Sequence, residues 1–405
     1  MTKQRLNDLA IFGGHAASEA QLHVGRPNIG DRQRLLARIN DLLDRRWFTN
    51  NGPYVREFEG KLSEFLGVKH CIAVCNATIG LEITIRALGM TGEVIVPSFT
   101  FIATAHALQW QEITPVFCDI DPQTHNLDSR CVKALITPRT TGILATHVWG
   151  RPCAIEPLIE IAQHHDLKLM FDAAHAFGCS YAGQMIGNFG EAEVFSFHAT
   201  KFFNTFEGGA VTTNSDELAA KIRLMTNFGF SGYDRVIYLG VNGKMSEPAA
   251  AMGLTGLECV DEFAAANRRH YDRYQEALAD VPGVRMIHYD GAERNNYQYI
   301  VLEIDETATH ISRDLISSIL HAENVLVRRY FYPGCHRMEP YRSYFPHAGL
   351  LLPETEKLTK RIMCLPTGTT IQNEDIDLIC ELIHFIVRHG VEVSHKFSTL
   401  PDNRS

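Results

Sequence analysis

Two side chains in this sequence are of types and spacing that could do chemistry together: Asp172, which closes the apolar run LKLMFD, and Lys201, in SFHATK. A carboxylate at the carboxyl end of a parallel strand stands where open α/β sheets place their ligand crevices. An amine just after a neighbouring strand, followed by Gly208-Gly209 for tight backbone passage, stands at the same edge. The pair meets two demands of pyridoxal phosphate, an amine for a Schiff base and a carboxylate opposite the pyridine nitrogen. Taken singly, Asp172 reads equally well as the start of a turn and Lys201 as a solvent-facing lysine.

The same cofactor needs an anion cup, best made by backbone N–H groups and hydroxyls at a helix start. Asn76-Ala77-Thr78-Ile79-Gly80 lies between the strand CIAVC and the helix LEITIRAL and suits that role, with Ser196 as a further hydroxyl. Phe101, in PSFTFIAT, is placed to stack on the ring, Ala174 to lie beneath its other face, and His175, in DAAHAFG, to reach the ring hydroxyl or a water near it. Each has a plainer reading: an N-cap at Asn76 or Thr78, a core phenylalanine, a satisfied structural histidine.

These residues need a scaffold, and the chain from about 70 to 215 supplies one. Short β-rich runs at 71–75, 93–97, 114–119, 142–148, 168–172, 193–197 and 209–213 alternate with helical stretches at 79–89, 101–110, 155–165 and 215–227. That alternation predicts an α/β fold with a mostly parallel sheet covered on both faces. The division expected is an N-terminal arm and helix (1–46), a large cofactor-binding domain (47–246), a bridging helix (247–280) and a smaller α/β domain (281–405) ending in a helix over 373–389 and a frayed polar tail.

Composition narrows the function. The 405 residues carry 47 acidic and 38 basic side chains, a net charge of −9 that disfavours nucleic acid and anionic lipid. Ten cysteines without C-x-x-C pairs, and an N-terminus without a long apolar core, predict reduced thiols, no export and a cytoplasmic protein. Polar residues and Pro97 interrupt the uncharged stretch 94–111, so no membrane span is expected. P-loop, G-x-G-x-x-G and H-E-x-x-H patterns are missing, and His164-His165 with Asp166 reads as a solvated helix end rather than a metal site.

Taken in order, DAAHAFG, SFHATKFFNTFEGGA, NATIGLEITIRAL, VIVPSFTFIATAHAL, GVNGKMSEPAAAMGL and RRYFYPGCHRMEPYR resemble the DegT/StrS-type sugar-nucleotide aminotransferases, within the aspartate-aminotransferase-like fold type I. The resemblance implies that Lys201 holds pyridoxal 5'-phosphate as a Schiff base and cycles it through pyridoxamine phosphate. Asp172 would pair with the pyridine nitrogen, Phe101 would stack, Ala77, Thr78 and Ser196 would hold phosphate, and His175 would sit near the ring hydroxyl. It also implies a homodimer with shared active sites, in which Asn242 of a partner copy reaches the phosphate. Gly25, Arg26, Tyr332 and His336, with Lys244 from the partner copy, are expected to contact substrate. Their plainer readings are a turn, two surface charges and two packed loop residues. Where many relatives have GYNYRMSE this chain has GVNGKMSE, so Lys244 offers only a point charge where those carry arginine.

LHVGRPNIG and FFNTFEGG most resemble 4-aminotransferases that take dTDP-4-keto-6-deoxy-D-glucose to dTDP-4-amino-4,6-dideoxy-D-glucose with L-glutamate as donor. Amination at the third carbon, or a UDP- or GDP-linked substrate, stays open. A pyridoxamine-phosphate-dependent sugar dehydratase is disfavoured by Lys201, because that branch carries histidine there, and a non-catalytic homologue would have no need of the amine.

Overall fold

The structure is a computed structural model that describes residues 3–400. Two helices, α1 (Arg32–Arg45) and α2 (Pro53–Leu66), lead into the large sheet. Each starts on a local signal. The Asp31 side chain caps α1 by accepting from the N–H groups of Gln33 and Arg34, and Pro53 opens α2, where its fixed φ and missing N–H cost nothing. Seven strands follow: β1 (His70–Val74), β2 (Glu93–Pro97), β3 (Thr114–Cys118), β4 (Thr140–Thr146), β5 (Lys168–Asp172), β6 (Ala192–Ser196) and β7 (Gly209–Thr213). They lie in the order β1-β7-β6-β5-β4-β2-β3, parallel except for β7, which runs antiparallel to both neighbours.

Side chains alternate across the sheet. Phe171 and Phe195 face α2, α6 (Ile155–His164) and α8 (Glu247–Leu257), whereas Met170 and Val194 face α3 (Ala77–Ala87), α4 (Ile102–Gln109) and α7 (Asp216–Met225). The short α5 (Ser129–Leu135) adds to the first face. Both faces are covered, which is why these strands read as nearly continuous apolar runs.

The single bridging helix expected over 247–280 is two helices, α8 and α9 (Val260–Leu278), separated at Glu258-Cys259. They answer to different cores. α8 is buried almost throughout in the large domain, whereas Tyr271, Tyr274 and Leu278 of α9 pack into the second core. That core lies between α9 and a small antiparallel sheet, β8 (Val284–Met286), β9 (Ile300–Ile304) and β10 (Ile362–Leu365), with α10 (Arg313–Ala322) and α11 (Asn373–Arg388). Leu9 and Leu22 belong to it as well, and Leu22-His23 pairs in parallel with Val325-Leu326. The start of the arm is thus built into the small domain. The tail is more ordered than expected, since α12 (Gly390–Ser398) continues from α11, while residues 401–405 of that tail lie outside the described residues.

Candidate active site

The parallel strands end together at one edge of the sheet, and the backbone register aligns the predicted residues there. Asp172 is paired with Thr146, and Gly209 lies between Val74 and Ser196. Past Val74 the chain turns into α3, whose first residues are Ala77 and Thr78. Asn76 caps this helix in extended backbone, its side chain accepting from the Ile79 N–H at 2.9 Å. The plainer reading of Asn76 therefore holds, and it leaves the N–H groups of Ala77 and Thr78 beyond the reach of any intrahelical acceptor. A Cβ on Gly209 would come within 2.9 Å of the Ala77 nitrogen, so glycine keeps this helix start open.

Asp172 is buried, and its carboxylate is fixed at both oxygens. Oδ2 accepts from the Thr104 hydroxyl at 2.8 Å, and Oδ1 accepts from the Ala174 N–H at 3.0 Å. Thr104 in turn shares a chain of hydroxyls with Thr100 and Thr146. Burial pushes the Asp172 carboxyl above its ordinary value, and the two hydrogen bonds, with the Lys201 and His147 charges, oppose that. Lys201 shows the opposite response. Burial of its amine lowers the pKa to about 8 from the ordinary lysine value of 10.5, with Asp172 partly offsetting the drop. An amine so placed is available as a base near neutrality.

Nζ of Lys201 donates to the Tyr299 hydroxyl at 3.2 Å. Tyr299 belongs to an aromatic floor between the domains that was not anticipated from the sequence. In it Trp149 stacks on Phe331, with ring centres 5.4 Å apart, and Phe331 stacks on His175 at 5.6 Å. His175 is buried, its Nδ1 accepts from the Trp149 N–H at 3.2 Å, and burial together with the Lys201 charge holds its pKa well below the ordinary histidine value. It is a neutral imidazole with one nitrogen already used. Phe101, at the N-cap of α4, is 57% exposed, leaving an uncovered ring at the same edge of the sheet.

The substrate candidates fare unevenly. Gly25 has φ +77°, and a Cβ there would meet the Thr200 carbonyl oxygen at 2.8 Å, which puts the arm directly against the lysine loop. Arg26 is exposed and donates to the Gln21 carbonyl. Asn242 is exposed and Lys244 half-buried, on a segment whose backbone bridges Asn227 and Val74; Lys244 donates to the Asn227 side chain at 2.8 Å. Tyr332 lies against the guanidinium groups of Arg313 and Arg329 rather than with the floor, where its neighbour Phe331 sits. His336 is buried with both nitrogens engaged, Nδ1 with the Ser98 hydroxyl at 2.6 Å and Nε2 with the Glu356 carboxylate at 2.7 Å, so its packed-loop reading is the one the geometry matches.

The sequence reading also passed over Asn28, which is buried beside Gly25. Its Nδ2 donates to the Phe202 carbonyl, and its Oδ1 accepts from both the N–H and the hydroxyl of Thr369. Asn204 donates back to the Asn28 carbonyl. The only local signal was a pair of polar side chains in otherwise apolar or turn-forming surroundings.

Residues 30–384 match the model of the DegT/DnrJ/EryC1/StrS aminotransferase family. A dTDP-4-amino-4,6-dideoxy-D-glucose transaminase of Shigella dysenteriae is 36% identical over 368 residues, 91% of this chain and 100% of that protein. GDP-perosamine synthase of Caulobacter vibrioides is also 36% identical, over 89% of this chain and 96% of its own length. A crystal structure of DesI in the presence of its TDP-sugar product superposes with a TM-score of 0.94 at 51% identity, covering 97% of this chain and all of that one. The chain belongs to the DegT/DnrJ/EryC1/StrS aminotransferase family, with the fold type I architecture, and is an aminotransferase.

Proposed function

We propose that this enzyme moves an amino group from L-glutamate to a nucleotide-linked 4-keto-6-deoxy sugar, dTDP-4-keto-6-deoxy-D-glucose, giving dTDP-4-amino-4,6-dideoxy-D-glucose, with pyridoxal 5'-phosphate held by Lys201. The observation that carries the cofactor reading is the buried Lys201 amine, its pKa lowered to about 8, across from the fixed carboxylate of Asp172. The helix start kept open at Gly209 fits a phosphate on the N–H groups of Ala77 and Thr78, with Ser196 beside them. The uncovered Phe101 ring fits a stacking partner. The choice of sugar nucleotide is supported by the Shigella relative and by the TDP-sugar product of DesI.

When bound, pyridoxal phosphate supplies an electron sink for the charge left when a proton leaves the carbon bearing nitrogen. The protein supplies the rest. Asp172 would hold a proton on the ring nitrogen, and Thr104 and the Ala174 N–H keep its carboxylate aimed. Lys201 Nζ would take the proton from the α-carbon of glutamate and deliver it to the carbon on the far side of the nitrogen, and would carry out the reverse transfer on the sugar. Neutral His175, held by the Trp149 N–H and stacked on the Trp149 ring, would be the residue near the ring hydroxyl. Arg26, and Lys244 from a second copy, would meet the charged parts of the substrates, and Gly25 and Tyr332 would border the entrance.

The active unit is a homodimer in which Asn242 of a second copy completes the phosphate site. This reading is supported by the apolar surface left on one chain. Leu36 and Leu43 of α1, then Trp47 and Phe48, are exposed, as are Tyr233, Val236, Ile237 and Leu239 on the hairpin leading to Asn242. The ten cysteines are free, which supports a cytoplasmic setting; no described helix is long and apolar enough to cross a membrane. The test is a glutamate-dependent assay with the keto-sugar, read by product mass. A product in which an amino group and a hydrogen have replaced the keto oxygen, and its loss in Lys201→Ala, are expected. A product that has lost a hydroxyl without gaining nitrogen would replace this reading with dehydration.

A further inference from the structure

We propose that Tyr299 is a positioning residue that receives the Lys201 amine whenever that amine is not bonded to the cofactor. The inference rests on the reading that Lys201 carries the cofactor, and it concerns the other half of the cycle, when the amine is free and must be kept both close and reactive.

Four observations support it. Tyr299 is buried, and its hydroxyl is the hydrogen-bond acceptor for Nζ at 3.2 Å, with Nζ 5.9 Å from the ring centre. Its ring cannot drift, because Trp149 lies edge-on at 5.3 Å and His175 at 4.7 Å. Its backbone carbonyl accepts from the Tyr289 hydroxyl at 2.8 Å. It immediately precedes β9 and so belongs to the small-domain sheet, whereas Lys201 lies on a loop of the large domain.

The chemistry of the partner matters as much as its position. A free lysine here has another attractive neighbour, the Asp172 carboxylate, but pairing with it would keep the amine protonated and take the carboxylate away from the cofactor. Burial holds the Tyr299 hydroxyl far above its ordinary pKa, so it stays a neutral phenol. A neutral acceptor restrains the amine without the charge that would lock a proton onto it. Because the acceptor is supplied by the other domain, the amine is caught only where the two domains meet.

Tyr299→Phe keeps the ring and removes the acceptor. In the cofactor-loaded enzyme its visible absorption band should persist, the glutamate half-reaction should slow by about tenfold with the KM for glutamate unchanged, and the acid limb of its pH profile should move to lower pH, since a hydrogen bond to the ammonium is lost. A second readout needs no turnover. Competitive acylation of Lys201 in cofactor-free protein should show the amine titrating at lower pH in the variant than in the wild type. Wild-type rate together with wild-type titration in Tyr299→Phe overturns the proposal. Independently of whether that variant folds, a crystal structure of the wild-type enzyme loaded with pyridoxamine phosphate reads the contact directly. Nζ within hydrogen-bond distance of Tyr299 Oη is expected, and Nζ on Asp172 or in solvent overturns it. Absence of the visible band from loaded wild-type protein would instead defeat the cofactor reading on which the proposal rests.

Discussion

Asp172 and Lys201 are displaced by burial in opposite senses, the carboxyl upward and the amine downward, and their neighbours oppose each displacement only in part. For Asp172 the correction comes from Thr104 and the Ala174 N–H, which favour the ionised form. Thr104→Val keeps the shape and removes the donor to Oδ2, so it should weaken pyridoxal phosphate binding by roughly ten- to a hundredfold, the worth of one charge-assisted hydrogen bond. A cofactor titration measures this, and unchanged affinity would show that the hydroxyl chain is incidental. For Lys201 the part of the burial that Asp172 does not offset is a cost to the fold. Between about pH 8 and 10.5 the unfolded chain keeps a proton on this amine that the folded one has lost, so the cofactor-free protein should gain stability as pH rises through that window. Below it, both states are charged and the folded state bears the full cost. Lys201→Met should therefore be more stable than wild type at pH 7, by on the order of 1–2 kcal/mol once solvent screening of the half-buried site is allowed for, and should lose that slope. Urea denaturation at several pH values tests both statements.

At the scale of elements, the part of the site lying on the large sheet was legible and the part lying between segments was not. β5 and β6 are buried on both faces, so LKLMFD and EVFSF announce themselves, and Asp172 and Ser196 follow from where those strands end. Tyr299, Phe331 and Trp149 meet only because two cores dock, and nothing in their local sequence records that. The α8–α9 break was hidden for a related reason: the helical pattern runs on through Glu258-Cys259 while the core it serves changes. Asn28 is the clearest case, since its partners are at Phe202, Asn204 and Thr369, far away in sequence. It pins the arm to the lysine loop and to the small domain at once. Asn28→Ala strands two buried donors at Thr369 and an acceptor at Phe202 and should cost about 2–4 kcal/mol. Gly25→Ala perturbs the same junction by another route, forcing a side chain at φ +77° into the Thr200 carbonyl. Its expected signature is a lowered kcat, because the displaced residue is next to Lys201. If Asn28→Ala unfolds at the wild-type urea midpoint, the arm is not held as described here.

For the whole molecule, the unsolved problem of the single chain is its surface. The hairpin formed by Phe230–Gly232 and Arg235–Val236 is exposed along its length, and with Phe228, Tyr238, Leu239 and Val241 it presents aromatic and aliphatic side chains where a monomer would place charge. The apolar side chains of α1 and the segment after it add to that surface. Asn242 lies exposed at the foot of the hairpin, on a segment that bridges Asn227 and, through Lys244, Val74. Mixed variants test directly whether it serves the neighbouring site. Lys201→Ala removes the amine and Asn242→Ala removes the shared contact, so each homodimer should be impaired at both sites. In a mixed dimer, one site receives both lesions and the other receives neither. After unfolding and refolding the two together in equal amounts, half of the dimers are mixed and half of their sites intact, so about a quarter of wild-type activity should return. Recovery to that level requires both a dimer and a residue contributed across it. If the mixture shows only the average of its two parents, Asn242 acts within its own chain, and the apolar hairpin must be explained without the active site.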